Sequence, residues 1–443
     1  MFESGQGKYA DPQASSGSFS HLAETTMPNP YLPPEILDHT VDLLHDERET
    51  LKQCCLVSRS WVPRTRKHLF ADVQFRTARE LVSWKKMFPD IAKSPGHYTQ
   101  TLFLGCPRTV NTWDAKEGGW IRAFSGLKGL SVDSVSHHER SRRERKNEYL
   151  RGFGASDVYL APLRKFSSTL KSIRVGLIFL PFPGLFDFIL SFPLLEDLGL
   201  TCQDDPRPNT NDSYEPSTVI QVPSTLPPLT GSLVFDIFGR AQDIVRQLLD
   251  LPNGLHFRCL MLTWDRKMDG LWIAKLLARC SRTVESLSVS YTSRRAFIRV
   301  CLSIDNSFSF QVWSEPGSLE FSKATKLREL VFRPESGSVK WISVALRTIT
   351  SEHRDLRRIT VHMPYYVTSY GANAGRFLGE EDAGQWLDLG RLLVQFWESH
   401  SIRPNIGGQG WESTERCIEC LLPEATKRGI IDPLYYHGLY TRQ

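Results

Sequence analysis

Residues 170–200, LKSIRVGLIFLPFPGLFDFILSFPLLEDLGL, contain two short apolar motifs on either side of a helical segment. Each motif, Leu170–Val175 and Leu195–Leu200, places apolar residues at positions i, i+3 and i+5. The last two of these positions alternate with other residues, which is typical of a strand that buries one face. The first strand is expected to end near Leu180, and residues 184–192 predict a helix. The stretch therefore predicts a strand, helix and strand unit.

The same motif recurs along most of the chain. Between the middle residues of successive copies the spacings are 28, 43, 25, 35, 27, 27, 43 and 29 residues, so five of the eight lie between 25 and 29. Such regularity predicts a repeat architecture in which each unit buries its apolar face on its neighbours. Seven copies fit fully and two carry threonine in the first place: Leu127–Val132, Leu170–Val175, Leu195–Leu200, Phe257–Leu262, Val284–Val289, Leu327–Phe332 and Leu356–Val361, then Thr99–Leu104 and Thr230–Phe235.

The period and the LxxLxL pattern resemble those of leucine-rich repeats. The resemblance implies strands on one side and helices on the other. The usual Asn or Cys after the strand is absent at Gln203, Asp265 and Thr292, so we expect an irregular solenoid without an asparagine ladder. A non-repetitive α/β domain with parallel strands is the alternative. The predicted helical halves are residues 184–192, 241–251, 271–279, 341–350 and 386–399.

The longer spacings indicate where repeats are interrupted. Residues 289–313 alternate apolar and polar side chains around Asp305 and Asn306, which predicts a β-hairpin. Residues 137–149, HHERSRRERKNEY, predict a solvated excursion or a basic patch for an acidic partner. Residues 203–228 are rich in Pro, Asp, Asn, Ser and Thr, and predict a long loop that is disordered or used for binding.

A different pattern precedes the repeats, in residues 32–75, LPPEILDHTVDLLHDERETLKQCCLVSRSWVPRTRKHLFADVQF. Proline at 33 or 34 suits the first turn of a helix, and the apolar residues 36, 37, 41 and 44 then share one face. Asp46 and Glu49 have the form of a capping box for a second helix. Ser58 or Ser60 can cap a third helix, and Ser60 is favoured because it leaves Pro63 in the first turn.

The order LPxEIL, Leu51, VSRSW, HLF and VxF resembles the F-box, in the form expanded in mushroom-forming fungi. The match covers about a tenth of the chain and is anchored at Leu32, Pro33, Glu35, Ile36, Leu37, Val57, Ser58, Arg59 and Trp61. It implies a three-helix module that docks onto the Skp-type adaptor of a cullin–RING ubiquitin ligase. The alternative is a helical cap that packs only on its own C-terminal domain. The residues implied to bind the adaptor are Leu32, Pro33, Ile36, Leu37, Leu51, Cys54, Val57 and Trp61. Some of them are expected to belong to the intramolecular core instead, and Trp61 in particular is expected to brace the three helices as much as it contacts the adaptor.

Composition limits the classes of partner. Of 443 residues, 41% are hydrophobic and 23% charged, and a net charge of +5 is small for a dedicated nucleic-acid binder. Nine cysteines without a disulfide-like framework predict a reducing, intracellular compartment, cytoplasm or nucleus. The first 27 residues lack a signal or transit pattern and predict a disordered leader. Residues 175–195 are apolar, yet their three prolines favour a strand and helix over a membrane span.

Catalytic motifs are scarce in this chain. GxSxG, P-loop, HExxH and GxGxxG patterns are absent, and Cys417 and Cys420 form a lone CxxC that predicts two half-buried helical cysteines rather than zinc ligands. His137 and His138 predict an exposed loop. Residues 380–382, Glu-Glu-Asp, predict a turn before a helix at Trp386. We therefore expect no catalytic residue, no metal and no cofactor.

Taken together, these patterns predict an α/β fold, α+β overall, with a disordered leader (residues 1–27), a three-helix F-box (28–75), an irregular leucine-rich-repeat solenoid (95–385) and a C-terminal cap (386–443). The expected function is that of a non-catalytic substrate receptor of an SCF-type ligase. Its partners would be the Skp-type adaptor, cullin through that adaptor, and an unknown protein substrate, with no nucleic acid and no membrane. Two alternatives are an F-box scaffold without a ubiquitination role and an enzyme whose motif is not evident.

Overall fold

The structure is a computed structural model of the whole chain, and it describes residues 33–105, 120–133, 161–166, 168–177, 185–202, 226–237, 241–251, 253–265, 270–292, 319, 321–334, 339–369 and 371–436. Contacts between residues divide the chain into a first unit that ends at Thr65 and a second unit that begins at Arg66. The predicted leader, the charged segment 137–149 and the hairpin turn at Asp305 and Asn306 lie outside the described residues, as do His137 and His138.

The first unit is helical. Helix α1 (Pro34–Leu43) is followed by α2 (Arg48–Val57), and α3 (Val62–Leu69) begins in this unit and contains the boundary with the second. Proline occupies the first position of α1, where its missing N–H removes no helical hydrogen bond. Pro63 likewise lies in the first turn of α3, as its sequence position predicts.

The cap of α2 differs from the prediction. Helix α2 has Glu47 at its N-cap, without a side-chain cap bond, and that carboxylate accepts a hydrogen bond from the Thr50 hydroxyl at 2.8 Å instead. The expected Asp46 and Glu49 capping box is therefore wrong. Before α3, the Ser58 hydroxyl accepts from the Ser60 backbone N–H at 3.3 Å and lies 2.8 Å from the Ser60 hydroxyl. This contact is a local turn, so the expected cap of α3 stays a prediction.

The second unit contains a sheet of twelve parallel strands that pair in sequence order. Each strand adds beside the previous one, and intervening segments return the chain to the same end of the sheet. The mixed α/β class predicted from the sequence is confirmed. The strands are β1 (Asp72–Phe75), β2 (Thr101–Leu104), β3 (Gly129–Asp133), β4 (Ser172–Leu177), β5 (Asp197–Cys202), β6 (Ser232–Ile237), β7 (Cys259–Asp265), β8 (Ser286–Thr292), β9 (Glu329–Pro334), β10 (Arg358–His362), β11 (Pro404–Gln409) and β12 (Asp432–Tyr436).

Helices and short 3-10 turns occupy the connections between strands. The expected helices at residues 184–192, 241–251, 271–279 and 341–350 are present, with ends that differ by up to four residues, and the expected helix at 386–399 belongs to a longer one. The helices are α4 (Ala78–Met87), α5 (Leu185–Leu190), α6 (Ala241–Leu249), α7 (Gly270–Cys280), α8 (Lys340–Leu346), α9 (Tyr365–Ser369), α10 (Ala374–His400), α11 (Trp411–Leu421) and α12 (Pro423–Lys427).

All nine LxxLxL motifs form strands, β2 to β10, and three further strands extend the sheet. Strand β1 lies within the segment 28–75 that the sequence assigned to the helical module, and β11 and β12 lie within the predicted cap, 386–443. The predicted domain boundaries remain predictions. The ladder itself runs from residue 72 to residue 436.

A repeated backbone contact holds neighbouring motifs in register. The carbonyl of the second motif residue accepts the N–H groups of the second and third residues of the next motif. Thus the Gln100 carbonyl accepts from Lys128 and Gly129, both at 2.8 Å, and the Arg258 carbonyl accepts from Glu285 and Ser286 at 2.8 and 3.0 Å. This pairing satisfies backbone groups that would otherwise be orphaned before each strand.

The ladder changes its form once, between β5 and β6. Here the Ser232 N–H donates to the Asp197 carboxylate at 2.6 Å, and the Ser232 hydroxyl donates to the same oxygen at 2.8 Å. Gly231 precedes this contact, and a Cβ at that position would lie 2.2 Å from the carboxylate oxygen. The Glu196 carbonyl still accepts the Gly231 N–H at 3.0 Å, so the aspartate replaces only the second of the two repeated contacts, and glycine leaves room for its carboxylate.

The core follows the motif. The apolar residues of each LxxLxL copy are buried, including Leu198 and Leu200 in β5 and Leu233 and Phe235 in β6. The helices α5 to α8 bury apolar side chains in the same cluster. Alternate strand residues point away from that core, so the sheet has one buried and one outward face.

The long helix α10, in the C-terminal part of the second unit, is interrupted once. Helix α10 breaks at Gly379, which has φ +80° and ψ 165° and no atom within 4 Å of an added Cβ. Residues 380–382, predicted as a turn, instead form the helix that resumes after this glycine. Acidic residues suit the start of a helix because the N-terminal dipole favours negative charge. Burial and the adjacent Glu381 raise the pKa of Asp382.

Candidate protein-interaction surfaces

Helix α1 carries apolar residues on two sides. Val41 is buried, with 1% of its surface exposed, and Leu37 and Leu44 on the same side are half-buried. Ile36 and Leu43 are 52% and 70% exposed. These two residues are seven positions apart, so they lie on one face two turns from each other. One apolar side of α1 therefore faces the interior of the helical unit, and the other is exposed to solvent.

Helix α2 repeats this division. Leu51 and Cys54 are 1% and 7% exposed and form part of the interior. Leu56 and Val57, at the C-terminal end of the helix, are 81% and 69% exposed. Burying a large aliphatic side chain contributes about 1.5–3 kcal/mol. Four such residues left in solvent within a short helical unit mark a candidate interaction surface.

The position of α1 relative to the start of α3 is fixed by an ion pair. The Arg64 Nε donates to Asp42 Oδ1 at 2.6 Å, and its Nη2 donates to Asp42 Oδ2, which makes the contact bidentate. Hydrogen bonding to Asp42 raises the pKa of Arg64. Thr65 is fully buried, and its hydroxyl donates to the Trp61 carbonyl at 2.6 Å. The exposed apolar residues are thus carried by helices with a defined arrangement.

The residues implied to bind the adaptor divide into three groups. Pro33, Ile36 and Val57 are exposed, whereas Leu37 and Trp61 are half-buried. The structure places Leu51 and Cys54 in the interior of the helical unit, so their side chains are not accessible to a partner in this conformation. Leu32 lies outside the described residues.

Two exposed residues were missed by the sequence reasoning, Leu43 and Leu56. The signal for Leu43 was its spacing of seven from Ile36, whereas Leu56 has an apolar neighbour on each side and no periodic signal. We call Ile36, Leu43, Leu56 and Val57 the helical surface. They are four of the thirteen large hydrophobic residues of the described chain that are exposed. Such a concentration within 22 residues distinguishes this region from the rest of the molecule.

A second surface is the outward face of the sheet, which we call the sheet face. Strand register aligns its middle residues across β4 to β9: Arg174, Gly199, Val234, Met261, Ser288 and Val331. Met261 is 41% exposed, and its strand neighbours Val234 and Ser288 are half-buried. Between Arg174 and the β9 strand this aligned row is uncharged and partly apolar, with Asp236 two residues further along β6 and Arg333 two residues beyond Val331.

Among the described residues, no group of three or more His, Cys, Asp or Glu side chains is arranged to hold a metal ion. The CxxC cysteines lie in α11, where Cys417 is fully buried and Cys420 is exposed. The Cys417 thiol donates to the Gly371 and Val367 carbonyls at 3.3 and 3.4 Å, and burial raises its pKa to about 11. Such a thiol stays protonated and serves packing.

None of the helices in the described ranges has the length and apolarity that a membrane crossing requires. Residues 175–195, the one segment with a membrane-like composition, contain the end of β4 and the helix α5.

His362, at the end of β10, makes stability depend on pH. Burial, and secondarily Arg333, lower its pKa from 6.5 to about 4. The folded state therefore favours the neutral imidazole. This contribution is fully present above pH 6.5 and is lost as pH falls from 6.5 toward 4, by roughly 3 kcal/mol at most.

The substitution His362→Gln is expected to flatten this dependence. Urea unfolding at pH 7.5 and pH 4.5 measures it, and the wild type should lose about 2–3 kcal/mol more than the variant between the two values. Equal losses in both proteins would show that His362 does not titrate in this way.

No protein-family model matches this chain, and no curated protein matches it in sequence.

Proposed function

We propose that this protein is the substrate-recognition subunit of an SCF-type cullin–RING ubiquitin ligase. In this proposal the helices at residues 34–69 are an F-box that docks on a Skp-type adaptor, and through it on cullin. The second unit is an irregular leucine-rich-repeat solenoid that binds a target protein. The chain is a receptor and not an enzyme, and it uses no cofactor.

The observation that carries the proposal is the helical surface. Ile36, Leu43, Leu56 and Val57 are exposed in the segment whose sequence resembles the F-box. A three-helix cap that only closed its own repeat domain would not require apolar residues on a solvent-facing side. The proposal assigns direct adaptor contacts to these four residues with Pro33, Leu37 and Trp61, and assigns Leu51 and Cys54 to the support of the helices.

The repeat assignment rests on the sheet. Twelve parallel strands in sequence order, nine of them on LxxLxL motifs, have the arrangement expected of stacked leucine-rich repeats. The six described cysteines Cys54, Cys55, Cys259, Cys280, Cys417 and Cys420 are free thiols, which supports a reducing compartment such as the cytoplasm or nucleus. A rigid strand face beside a ligase would raise the effective concentration of target lysines.

A reconstituted ubiquitination reaction tests the proposal against its scaffold alternative. The chain is co-purified with the Skp-type adaptor and assembled with cullin, RING subunit, charged conjugating enzyme and a candidate target found by proximity labelling. Target ubiquitination is expected to depend on the chain and to stop with Val57→Asp. An assembled complex that binds the target without modifying it would favour a scaffold role.

A further inference from the structure

The two arginines that flank the sheet face are not neutralised. Arg174 in β4 and Arg333 in β9 are exposed, and both point outward because their strand neighbours on either side are buried. Within the described part of the chain, neither guanidinium has an ion-pair partner. Their charges are therefore available to an anionic group.

From β4 to β9, by contrast, the acidic side chains that the structure describes on the outward face are already engaged. Asp197 accepts two hydrogen bonds from Ser232, and Glu329 pairs with Arg358 at 3.1 Å. Asp236 also has an interaction partner. The free charge on the described residues of these six strands is therefore positive and is confined to the first and last strand.

Gly199 holds one of these arginines in place. A Cβ on Gly199 would lie 2.5 Å from Arg174 Cγ, so the aliphatic part of Arg174 lies across the glycine of the neighbouring strand. An alanine there would displace the arginine stem. The guanidinium is thus positioned by packing before a ligand arrives, which reduces the entropy lost on binding.

The spacing of the arginines defines a ligand length. Five strand intervals of about 4.8 Å separate β4 from β9, and Arg333 lies two residues beyond Val331, the register equivalent of Arg174, so the two arginines are ~25 Å apart. An extended chain advances ~3.3 Å per residue, so a separation of eight residues covers this distance and, because it is even, keeps both side chains on one side of the chain. Between the arginines lie Val234, Met261 and Val331, which suit apolar side chains rather than charged ones.

We infer that the sheet face binds an extended segment of a protein that carries two carboxylate side chains eight residues apart with apolar residues between them. Each carboxylate pairs with one arginine, in the bidentate geometry that guanidinium favours. The intervening apolar residues cover Met261 and its neighbours. This inference deepens the proposed function. It rests on that function for one point, that the bound segment belongs to a ligase target.

Synthetic peptides test it on the full chain by fluorescence anisotropy. Fourteen-residue probes with alternating serine and valine carry glutamates separated by 4, 8 or 12 positions, and matched probes carry glutamine. The eight-residue separation is expected to bind at least about tenfold more tightly than its glutamine counterpart and than the other separations. High salt should weaken the binding, because exposed ion pairs are screened.

Reversing the charge of both arginines is the decisive test of the ligand assignment. Arg174→Glu with Arg333→Glu should abolish binding of the glutamate probe and restore binding to a probe with lysines at the same positions. Gly199→Ala should weaken binding by about fivefold through Arg174. Arg347→Glu, on an exposed arginine at the end of α8, is the matched control and should leave binding unchanged.

Three outcomes would overturn the inference: equal binding of glutamate and glutamine probes, no effect of the reversal, or binding only when phosphoserines replace both glutamates. The assay contains no adaptor, so its failure is separable from failure of the proposed function. If the reversal variant binds the adaptor, its fold is intact. If it also still binds the glutamate probe, the ligand assignment is wrong. Loss of adaptor binding by wild type would instead contradict the proposed function alone.

Discussion

Replacing Ile36 or Val57 by aspartate is expected to weaken binding to the Skp-type adaptor by at least about 100-fold, which corresponds to ~2.7 kcal/mol. Both side chains are more than half exposed in the free chain, and in the proposed complex they enter an apolar interface. A carboxylate at such a position loses its hydration without gaining a partner, and this cost exceeds the lost apolar contact. Biolayer interferometry with immobilised adaptor measures the change.

The control is Met87→Asp. Met87 is 64% exposed on α4, in the second unit. The variant therefore has the same kind of change, an exposed apolar residue replaced by aspartate, but outside the helical surface. Its affinity for the adaptor should remain within about twofold of wild type, and all three variants should keep the melting temperature, since exposed substitutions rarely change stability by more than ~0.5 kcal/mol. Equal losses for Met87→Asp and Val57→Asp would mean that the helical surface is not the interface.

Phe235→Ala is expected to destabilise the second unit by about 3–5 kcal/mol. Phe235 is fully buried in β6, and its register partners Leu200 and Leu262 in the flanking strands are also buried. Truncation would leave a cavity in the middle of a continuous core, where each repeat relies on its neighbours. Urea unfolding followed by circular dichroism provides the measurement.

Val234→Ala is the internal control for that substitution. Val234 is the preceding residue, and it points to the outward face, where it is half-buried. Its truncation should cost less than about 1 kcal/mol. Similar costs at positions 234 and 235 would contradict the alternation of buried and outward residues on which the sheet assignment depends.

The sheet could be predicted because its stabilising pattern is local and repeated. Each LxxLxL copy needs two or three buried apolar residues at fixed separations, and those separations are visible without any knowledge of distant contacts. The predicted helices between strands follow from the same burial. Their ends were less certain, because several residues at each end are compatible with either helix or turn.

Strand β11 shows why the pattern failed at the C-terminal end. Its sequence, PNIGGQ, has glycine at residue 408, two positions after the buried Ile406. A Cβ at Gly408 would lie 2.3 Å from the Thr414 hydroxyl oxygen, so α11 packs directly against the strand backbone. A leucine could not fit there, and without it the strand carries no LxxLxL signal.

The helical surface was predictable only in part. Helices α1 and α2 have apolar residues on more than one side, so the hydrophobic pattern alone does not reveal which side the neighbouring helices cover. Val41, Leu51 and Cys54 proved to be interior, and Leu43 and Leu56 proved to be exposed. That distinction depends on the packing between helices, which a single helix's periodicity does not contain.

Binding of the full chain to a recombinant Skp-type adaptor, measured by isothermal titration calorimetry, tests the central claim most directly. We expect a 1:1 complex with a dissociation constant below about 1 μM and a negative heat-capacity change, because the helical surface buries apolar area on association. Val57→Asp in the same experiment should give no measurable heat. Absence of binding by the wild-type chain, or undiminished binding by the variant, would contradict the assignment of this surface to the adaptor.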